Sequence, residues 1–345
     1  MTDGTPDPTA GLPDPPTVSL QTLAVTGILV DVYGLKELPS PTLTHVSVLW
    51  LHNPRLGDRT RMAPIAKRVV AEYNKLRPSG STRGLIAAAF DQRNHGSREV
   101  HHLANLAWNK SNPTHAQDMF GITIGTVLDT QLLITALPGY LFLDSLARGA
   151  PPPPVFDQHL VLGISLGGHS TWQTLFTNPA VTAGVSIIGC PDFLHLMADR
   201  AVKSKRASAG KAFVGSADFP PALVAQCAKF DPRAIVFGTG PVVESPGQDD
   251  QARIKTVLDK SVKGKRFLLC SGGADKLVPW RCSEAFTNFF VGAAEGWYKE
   301  SGLKVDNRVY DGIGHECSDG MVVDAVRFLV NEVIGAGTTT AGSRI

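Results

Sequence analysis

A short apolar run that leads into a serine between glycines constrains this chain more than any other feature. Residues 160–162 read LVL, residues 163–168 read GISLGG, and a helical pattern follows over 168–177. A strand, then G-x-S-x-G, then a helix is the context in which such a serine lies on a tight turn with its hydroxyl exposed. The pattern predicts Ser165 as a nucleophile, and a glycine-rich loop without chemistry is the alternative.

The rest of the chain alternates strand-like and helix-like segments. Two extended segments, 18–27 and 28–35, predict an antiparallel pair at a sheet edge. Further buried strands are predicted at 44–51, 84–90, 160–163, 185–189, 266–270 and 304–310. Helical spacing occurs at 62–76, 116–146, 168–177, 284–294 and 322–333. Such alternation predicts an α/β fold with a mainly parallel central sheet and helices on both faces.

One connection is longer than this pattern requires. Residues 191–264 separate two predicted strands, and one crossover helix needs far fewer residues. The segment contains helical patterns at 192–202 and 221–229 and a polar loop at 244–251. We interpret residues 191–264 as a helical lid insertion over the site, and packing on the side of the sheet is the alternative.

A serine hydroxyl needs a general base, and the base needs an acid that orients it. Residues 271–279 read SGGADKLVP directly after a predicted strand, which would place Asp275 at the same sheet edge as Ser165. Residues 312–316 read GIGHE after the last strand, so that His315 could return over the serine. Asp192, in the GCPD sequence after the preceding strand, is the alternative acid.

The segments GISLG, GADKLVP and GIGHE, in this order, make the chain resemble the α/β-hydrolase superfamily from about residue 20 to residue 335. It is most similar to fungal serine hydrolases of undetermined substrate, with a weaker likeness to the dienelactone-hydrolase and prolyl-oligopeptidase branches. The resemblance implies the α/β-hydrolase fold, with Ser165 as nucleophile, His315 as general base and then acid, and Asp275 as the carboxylate that fixes the imidazole tautomer.

The resemblance also implies two backbone donors for the oxyanion. One is the N–H of Leu166, the residue after the nucleophile. The second comes from the loop after the strand at 44–51, where the superfamily often has His-Gly-X and this chain reads LHNPRLG. Proline has no N–H, which leaves Arg55, with Asn53 as the alternative.

Several other residues of the expected site region have less defined roles. Residues 90–96, FDQRNHG, resemble the Asp-x-Arg-Gly-His-Gly loop of the superfamily. We expect His95 in that loop to be structural, and likewise two further histidines, His52 and His169. Three residues of the long segment before the nucleophile strand could border the pocket, namely Trp108, His115 and Met119.

Composition excludes several other classes of protein. The 33 basic and 31 acidic residues are interspersed, which does not fit a nucleic-acid-binding surface. Five cysteines without CxxC pairs or zinc spacing predict buried free thiols. No clustered metal ligands and no P-loop lysine occur, so we expect no cofactor. The sequence contains no run of about eighteen uninterrupted apolar residues, so we expect no membrane span.

The chain ends are interpreted from composition. Residues 1–16 hold five prolines and three aspartates and predict a disordered tail without signal-peptide features. We place the α/β-hydrolase domain at 17–337, a flexible tail at 338–345, and the protein in the cytoplasm. The last three residues, Ser343-Arg344-Ile345, resemble the peroxisomal Ser-Lys-Leu address, so peroxisomal import is the alternative.

Together these features predict a serine hydrolase that cleaves a small-molecule carboxylic ester or thioester through an acyl-enzyme on Ser165. One alternative is an aminopeptidase or acylpeptidase of prolyl-oligopeptidase type, for which the N-terminal region is too short to form a propeller. Another is a non-catalytic binding protein with a hydrolase-like fold. The physiological substrate and the oligomeric state have no readable sequence signal.

Overall fold

A single eight-stranded sheet organises the molecule. The computed structural model describes residues 9–39, 41–143 and 152–341, with side chains to residue 336. The strands are β1 (Leu20–Val25), β2 (Ile28–Tyr33), β3 (His45–His52), β4 (Arg83–Phe90), β5 (Val155–Ile164), β6 (Val181–Ile187), β7 (Arg266–Gly272) and β8 (Lys304–Tyr310). Their order is β1-β2-β4-β3-β5-β6-β7-β8. The pairs β1/β2 and β2/β4 are antiparallel, and the other five pairs are parallel.

Helices connect the parallel strands. They are α1 (Ala63–Leu76), α2 (His115–Leu141), α3 (Leu166–Thr177), α4 (Phe193–Lys203), α5 (Pro221–Phe230), α6 (Pro232–Phe237), α7 (Gln248–Ser261), α8 (Arg281–Glu295) and α9 (Asp319–Ala341). Short 3₁₀ turns lie at Arg59–Met62, Gly96–Arg98, His102–Asn105, Trp108–Lys110 and Lys299–Ser301. Because parallel strands require crossovers, α1, α2, α3, α7 and α8 each return the chain to the start of the next strand.

Apolar clusters on both faces of the sheet hold the helices in place. On one face, α1 and α9 contribute side chains such as Val69 and Leu329. On the other face, α2, α3, α7 and α8 contribute Leu133, Trp172 and Phe290, among others. Burial on two faces explains why the inner strands read as continuous apolar runs. The predicted parallel sheet with helices on both faces is confirmed.

Helix α2 is unusually apolar. It is the one helix of the described ranges that is long and apolar enough to cross a membrane, with a mean hydropathy of 1.5 over its best window. Within that window 56% is buried inside the protein. Since Leu133 and Leu137 are fully buried against the sheet, α2 serves as a core helix here, and its hydropathy reflects that packing.

Residues 191–264 contain more helix than their sequence suggested. The predicted polar loop at 244–251 is interrupted at Gln248, where α7 begins. The buried side chains of α7, Ile254 and Leu258, lie in the same apolar cluster as Trp172 and Phe290 on one face of the sheet. Helix α7 is therefore the crossover helix between β6 and β7. The inserted part is therefore shorter, with α4, α5 and α6 before residue 248.

The chain ends differ in part from the predicted tails. Residues 9–12 form a turn in which the N–H of Leu12 donates to the carbonyl oxygen of Thr9 at 3.0 Å. Arg68 Nη2 donates to the carbonyl oxygen of Pro13 at 2.5 Å. At the other end, α9 continues to Ala341, where a tail from residue 338 was predicted. Residues 1–8 and 342–345, including Ser343-Arg344-Ile345, lie outside the described residues.

Candidate active site

Ser165 lies on the tight turn between β5 and α3. Its backbone has φ 56° and ψ −110°, a conformation that residues with a Cβ adopt at a cost. Its N–H donates to the carbonyl oxygen of Ile187 at 2.9 Å, which ties the turn to β6. A Cβ on Gly163 would collide with the carbonyl of Gly167, and a Cβ on Gly167 would collide with the carbonyl of His52. The two glycines of the motif are therefore required by close backbone packing around the serine.

The three residues predicted to act together are joined by two hydrogen bonds. Ser165 Oγ lies 2.8 Å from His315 Nε2, and His315 Nδ1 lies 2.7 Å from Asp275 Oδ2. Asp275 follows β7 and His315 follows β8, the next strand of the sheet. Because parallel strands end at the same edge, residues that are 150 and 40 positions apart in the chain meet there.

Asp275 is fixed as an anion. Its side chain is fully buried, and its other oxygen, Oδ1, accepts the N–H groups of Leu277 at 2.8 Å and Val278 at 2.9 Å. Burial alone would raise the pKa of this carboxyl group. The hydrogen bond and charge of His315 and the two backbone N–H groups outweigh burial and lower the pKa below its ordinary value.

The alternative acid, Asp192, is used elsewhere. Its side chain accepts the N–H of His195 at 2.9 Å and so caps α4. Its other oxygen lies 3.4 Å from Arg233 Nε. Burial raises the pKa of Asp192 although the charge of Arg233 opposes this shift. Its described contacts are those of a helix cap and an ion pair, and the carboxylate that accepts the described hydrogen bond from His315 Nδ1 is that of Asp275.

A cavity of about 540 Å³ opens at Ser165 and His315. The loop after β3 contributes Pro54, Arg55 and Leu56 to its lining. Asn53, the alternative second donor, does not line the cavity. Its side-chain amide donates to the carbonyls of Pro54 at 3.1 Å and Gly57 at 3.0 Å and so shapes the loop from within. Arg55 is thus the better placed of the two predicted residues.

The N-terminal turn also reaches the cavity, which the sequence did not indicate. Ala10 and Gly11 line it together with Ser165. Residues this far from the motifs carry no local signal, because their position depends on packing against the loop before α9. The lining also includes Leu277, from the loop after β7, and the half-buried Cys317, whereas the other four cysteines are buried free thiols.

The predicted lid is not confirmed. No residue of 191–264 lines the cavity. Instead Phe193 and Leu196 of α4 are buried in a third apolar cluster that also contains Leu166 and Val278, which neighbour the serine and the aspartate in sequence. The rings of Phe193 and Phe120 lie 4.7 Å apart. The first helix of the insertion therefore packs against residues next to the catalytic loops and does not cover the cavity.

Three residues that could have bordered the pocket lie in this third cluster or against it. Trp108 and Met119 are buried members of the cluster, and the Trp108 and His115 rings contact edge to face at 5.1 Å. None of the three lines the cavity. His115 and Met119 instead hold Arg200 of α4, a half-buried cation that no sequence motif marks.

The other histidines near the site are enclosed in the structure. His52 lies between Thr130 Oγ1 and Ser170 Oγ, both at 2.9 Å, and burial lowers its pKa to about 3. His95 Nδ1 lies 3.0 Å from the carbonyl oxygen of Arg93, and burial lowers its pKa as well. The His52 contacts join β3 to α2 and α3, and the His95 contact lies within the loop after β4. Within the described ranges, no group of three or more His, Cys, Asp or Glu side chains is arranged to hold a metal ion.

Comparison with protein-family models and with curated proteins finds no match to the sequence. Similar solved structures include TT1662 from Thermus thermophilus, with 16% identity, 92% of this chain and 99% of that chain covered, and a TM-score of 0.49. Acetyl xylan esterase 1 from Thermoanaerobacterium sp. JW/SL YS485 has 17% identity and a TM-score of 0.46. That match covers 94% of this chain and 90% of that chain.

A protein assigned as a dipeptidyl aminopeptidase IV from Bacteroides ovatus has 13% identity and a TM-score of 0.51. The match covers 94% of this chain and 36% of that chain, so this chain spans about a third of that protein. At such identities the similarity concerns the fold. Taken with the strand order and the serine turn after β5, it shows that the chain has the α/β-hydrolase fold.

Proposed function

We propose that this chain is a cofactor-independent serine hydrolase that cleaves a carboxylic ester or thioester through an acyl-enzyme on Ser165. The observation that carries the proposal is the pair of hydrogen bonds from Ser165 through His315 to Asp275, at 2.8 and 2.7 Å. A buried carboxylate held by two backbone N–H groups is suited to orient an imidazole, and the imidazole to accept a serine proton.

The first half of the reaction forms the acyl-enzyme. Ser165 Oγ attacks the carbonyl carbon while His315 Nε2 takes the hydroxyl proton, and Asp275 stabilises the resulting imidazolium. The tetrahedral intermediate then collapses. The bond to the alcohol or thiol breaks, and His315 returns its proton to that leaving group.

The second half releases the acid. A water molecule attacks the acyl carbon while His315 Nε2 takes one of its protons, and the acyl–Oγ bond breaks as that proton passes to Ser165. The free carboxylic acid and the resting serine result. Both halves develop negative charge on the same carbonyl oxygen, so one set of donors serves both.

The backbone N–H groups of Leu166 and Arg55 are the proposed donors for that oxygen. Leu166 is the first residue of α3, where an N–H has no partner within the helix. Among the described hydrogen bonds, neither N–H donates to a protein acceptor. Arg55 is part of the cavity lining, and Leu166 directly follows Ser165, which also lines the cavity. Their free N–H groups are therefore available to a substrate oxygen.

Hydrolysis of p-nitrophenyl esters of graded acyl length, compared with aminoacyl anilides, tests the ester assignment. We expect turnover of the esters and little turnover of the anilides. Preferred cleavage of the anilides would favour the aminopeptidase or acylpeptidase alternative. Failure of a fluorophosphonate probe to label folded protein would favour a non-catalytic binding protein.

A further inference from the structure

Arg55 presents a cation to the cavity without a described counter-ion. It is a half-buried residue of the loop after β3 and lines the cavity with Ser165 and His315. Its Nη1 atom is buried and has no hydrogen-bond partner. Burial lowers the pKa of this guanidinium, which nevertheless stays charged. Buried charges in proteins are ordinarily paired. Since no described residue pairs with this Nη1, the atom is placed to receive a bound anion.

A second guanidinium lies behind the same cavity. Arg200 Nη1 donates to His115 Nε2 at 3.2 Å and to Met119 Sδ at 3.1 Å. Its Nη2 donates at 3.3 Å to the carbonyl oxygen of Leu277, a residue of the cavity lining. All of these acceptors are neutral, because burial and the charges of Arg200 and Arg55 lower the pKa of His115 to about 3.

The acid beside Arg200 does not neutralise it. Asp199 forms ion pairs with Lys203 at 2.8 Å and with Arg281 at 2.5 Å. Burial, followed by the charge of Arg55, lowers the pKa of Arg200 to about 10. The positive charge of Arg55 therefore acts on Arg200, and an anion bound at Arg55 would offset this repulsion.

A third buried donor belongs to α3. The N–H of Cys190 lies 2.9 Å from His169 Nδ1 and the carbonyl oxygen of Cys190 lies 3.2 Å from it. We assign the shorter contact as the hydrogen bond, with the N–H as donor, which places the proton of the neutral ring on Nε2. That Nε2 is buried without a partner. The N–H of His169 donates to the carbonyl oxygen of Ser165 at 3.0 Å, which puts this histidine one helical turn from the nucleophile. It adds a donor, not a charge, to the same region.

No other described group around the cavity forms an ion pair with Arg55. Glu316 and Asp319 belong to the lining from the β8 side, but neither forms a described ion pair with Arg55. His95 has a free Nε2 in the buried loop after β4, and this neutral nitrogen can accept one N–H at most. Arg61 is a further cation of the lining.

We propose that this cavity binds a substrate with a free carboxylate, held by Arg55 with Arg200 as a supporting charge, beside the ester that Ser165 attacks. The inference rests on the proposed hydrolase function and specifies its substrate class as a half-ester or half-thioester of a dicarboxylic acid, or an ester whose alcohol bears a carboxylate. Guanidinium–carboxylate hydrogen bonds are among the stronger ones in proteins and add geometric selectivity.

Binding is tested first without catalysis, by calorimetric titration of the Ser165→Ala protein with adipate, with dimethyl adipate and with inorganic phosphate. We expect adipate to bind about tenfold or more tightly than its neutral diester. Arg55→Gln in the same background should remove this preference, Arg55→Lys should restore part of it, and Arg327→Gln, an exposed charge change, should leave it intact.

Turnover is tested second, with the mono-p-nitrophenyl ester of adipic acid against its methyl-capped form, and 4-acetoxybenzoate against its methyl ester. In at least one pair the charged ester should have the higher kcat/KM, and Arg55→Gln should reduce that ratio about tenfold. The ratio cancels any change in absolute rate from the Arg55 backbone. Equal binding of adipate and its diester, phosphate binding as tight as adipate, or ratios unaffected by Arg55→Gln would overturn the carboxylate site. Failure of the hydrolase assignment is recognised separately, by an absence of fluorophosphonate labelling.

Discussion

His315 Nδ1 lies 2.7 Å from Asp275 Oδ2, while the other oxygen of the same carboxylate accepts two backbone N–H groups from Leu277 and Val278. Both oxygens therefore have donors, and the carboxylate cannot rotate away from the imidazole without losing them. The residues that directly follow Asp275 thus fix the orientation of its carboxylate, and the carboxylate in turn fixes the orientation of the His315 ring toward Ser165.

The fixed carboxylate of Asp275 predicts that substituting Asp275 reduces turnover more than substituting Asp192. Asp275→Asn should reduce turnover by about 10⁴, because an amide at this position favours the wrong imidazole tautomer. Asp192→Asn should change turnover little, since Asp192 caps α4 and pairs with Arg233. Steady-state kinetics on the two folded variants measures the ranking. The opposite order would transfer the role of the acid to Asp192.

The lowered pKa of Asp275 predicts how stability depends on pH. An unfolded aspartate has a pKa of about 3.9, and the folded value lies lower. Asp275 therefore stabilises the fold at neutral pH, and this contribution is lost as pH falls below about 4 toward the folded pKa. Denaturant unfolding of wild type and Asp275→Asn between pH 7 and pH 3 (about one unit per step) should show a difference that narrows on acidification. A difference that widens would contradict the sign.

Close packing at the serine turn predicts a strong effect of one methyl group. Gly167→Ala would place a Cβ against the carbonyl of His52, and we expect a loss of about 1–3 kcal/mol in the free energy of unfolding together with loss of activity. Gly292→Ala is the matched control, because that helical glycine has no neighbour within 4 Å. It should stabilise the protein by up to about 1 kcal/mol. Equal effects of the two changes would show that the contact at Gly167 is unimportant.

The burial of α4 predicts a structural effect for Phe193, a residue of the segment that was interpreted as a lid. Phe193 is 2% exposed and packs against Phe120 and Phe219. Phe193→Ala should cost about 3–5 kcal/mol of unfolding free energy and leave the preferred acyl length unchanged. Unfolding curves combined with an ester series measure both. A shifted acyl preference at unchanged stability would restore the lid interpretation.

The sequence predicted the features that depend on local patterns. The inner strands are continuous apolar runs because both faces of the sheet are covered, and Ser165 and Asp275 each follow such a run. His315 follows the edge strand β8, whose residues are exposed or half-buried. Helix α7 was predicted as a polar loop in part, although Asp249 and Asp250 in its first turn are a recognised helix-start signal. That error lengthened the predicted insertion.

Features that depend on distant contacts were not predictable. Arg200 reads as an ordinary helix residue, and its partners His115 and Met119 come from a different helix. Ala10 and Gly11 reach the cavity through tertiary packing, whereas the proline-rich composition around them indicated a tail. Cavity shape and charge pairing arise only once the elements are packed.

Covalent labelling at Ser165 tests the central claim most directly. A fluorophosphonate probe should form one adduct with the wild-type protein, as Ser165 Oγ displaces fluoride, and mass spectrometry of the digested protein should place it on the peptide that contains Ser165. Ser165→Ala should keep the circular dichroism spectrum of the wild type, form no adduct and lose on the order of 10⁶ in turnover. An unlabelled wild-type protein, or a Ser165→Ala protein that still hydrolyses esters at the normal rate, would contradict the account.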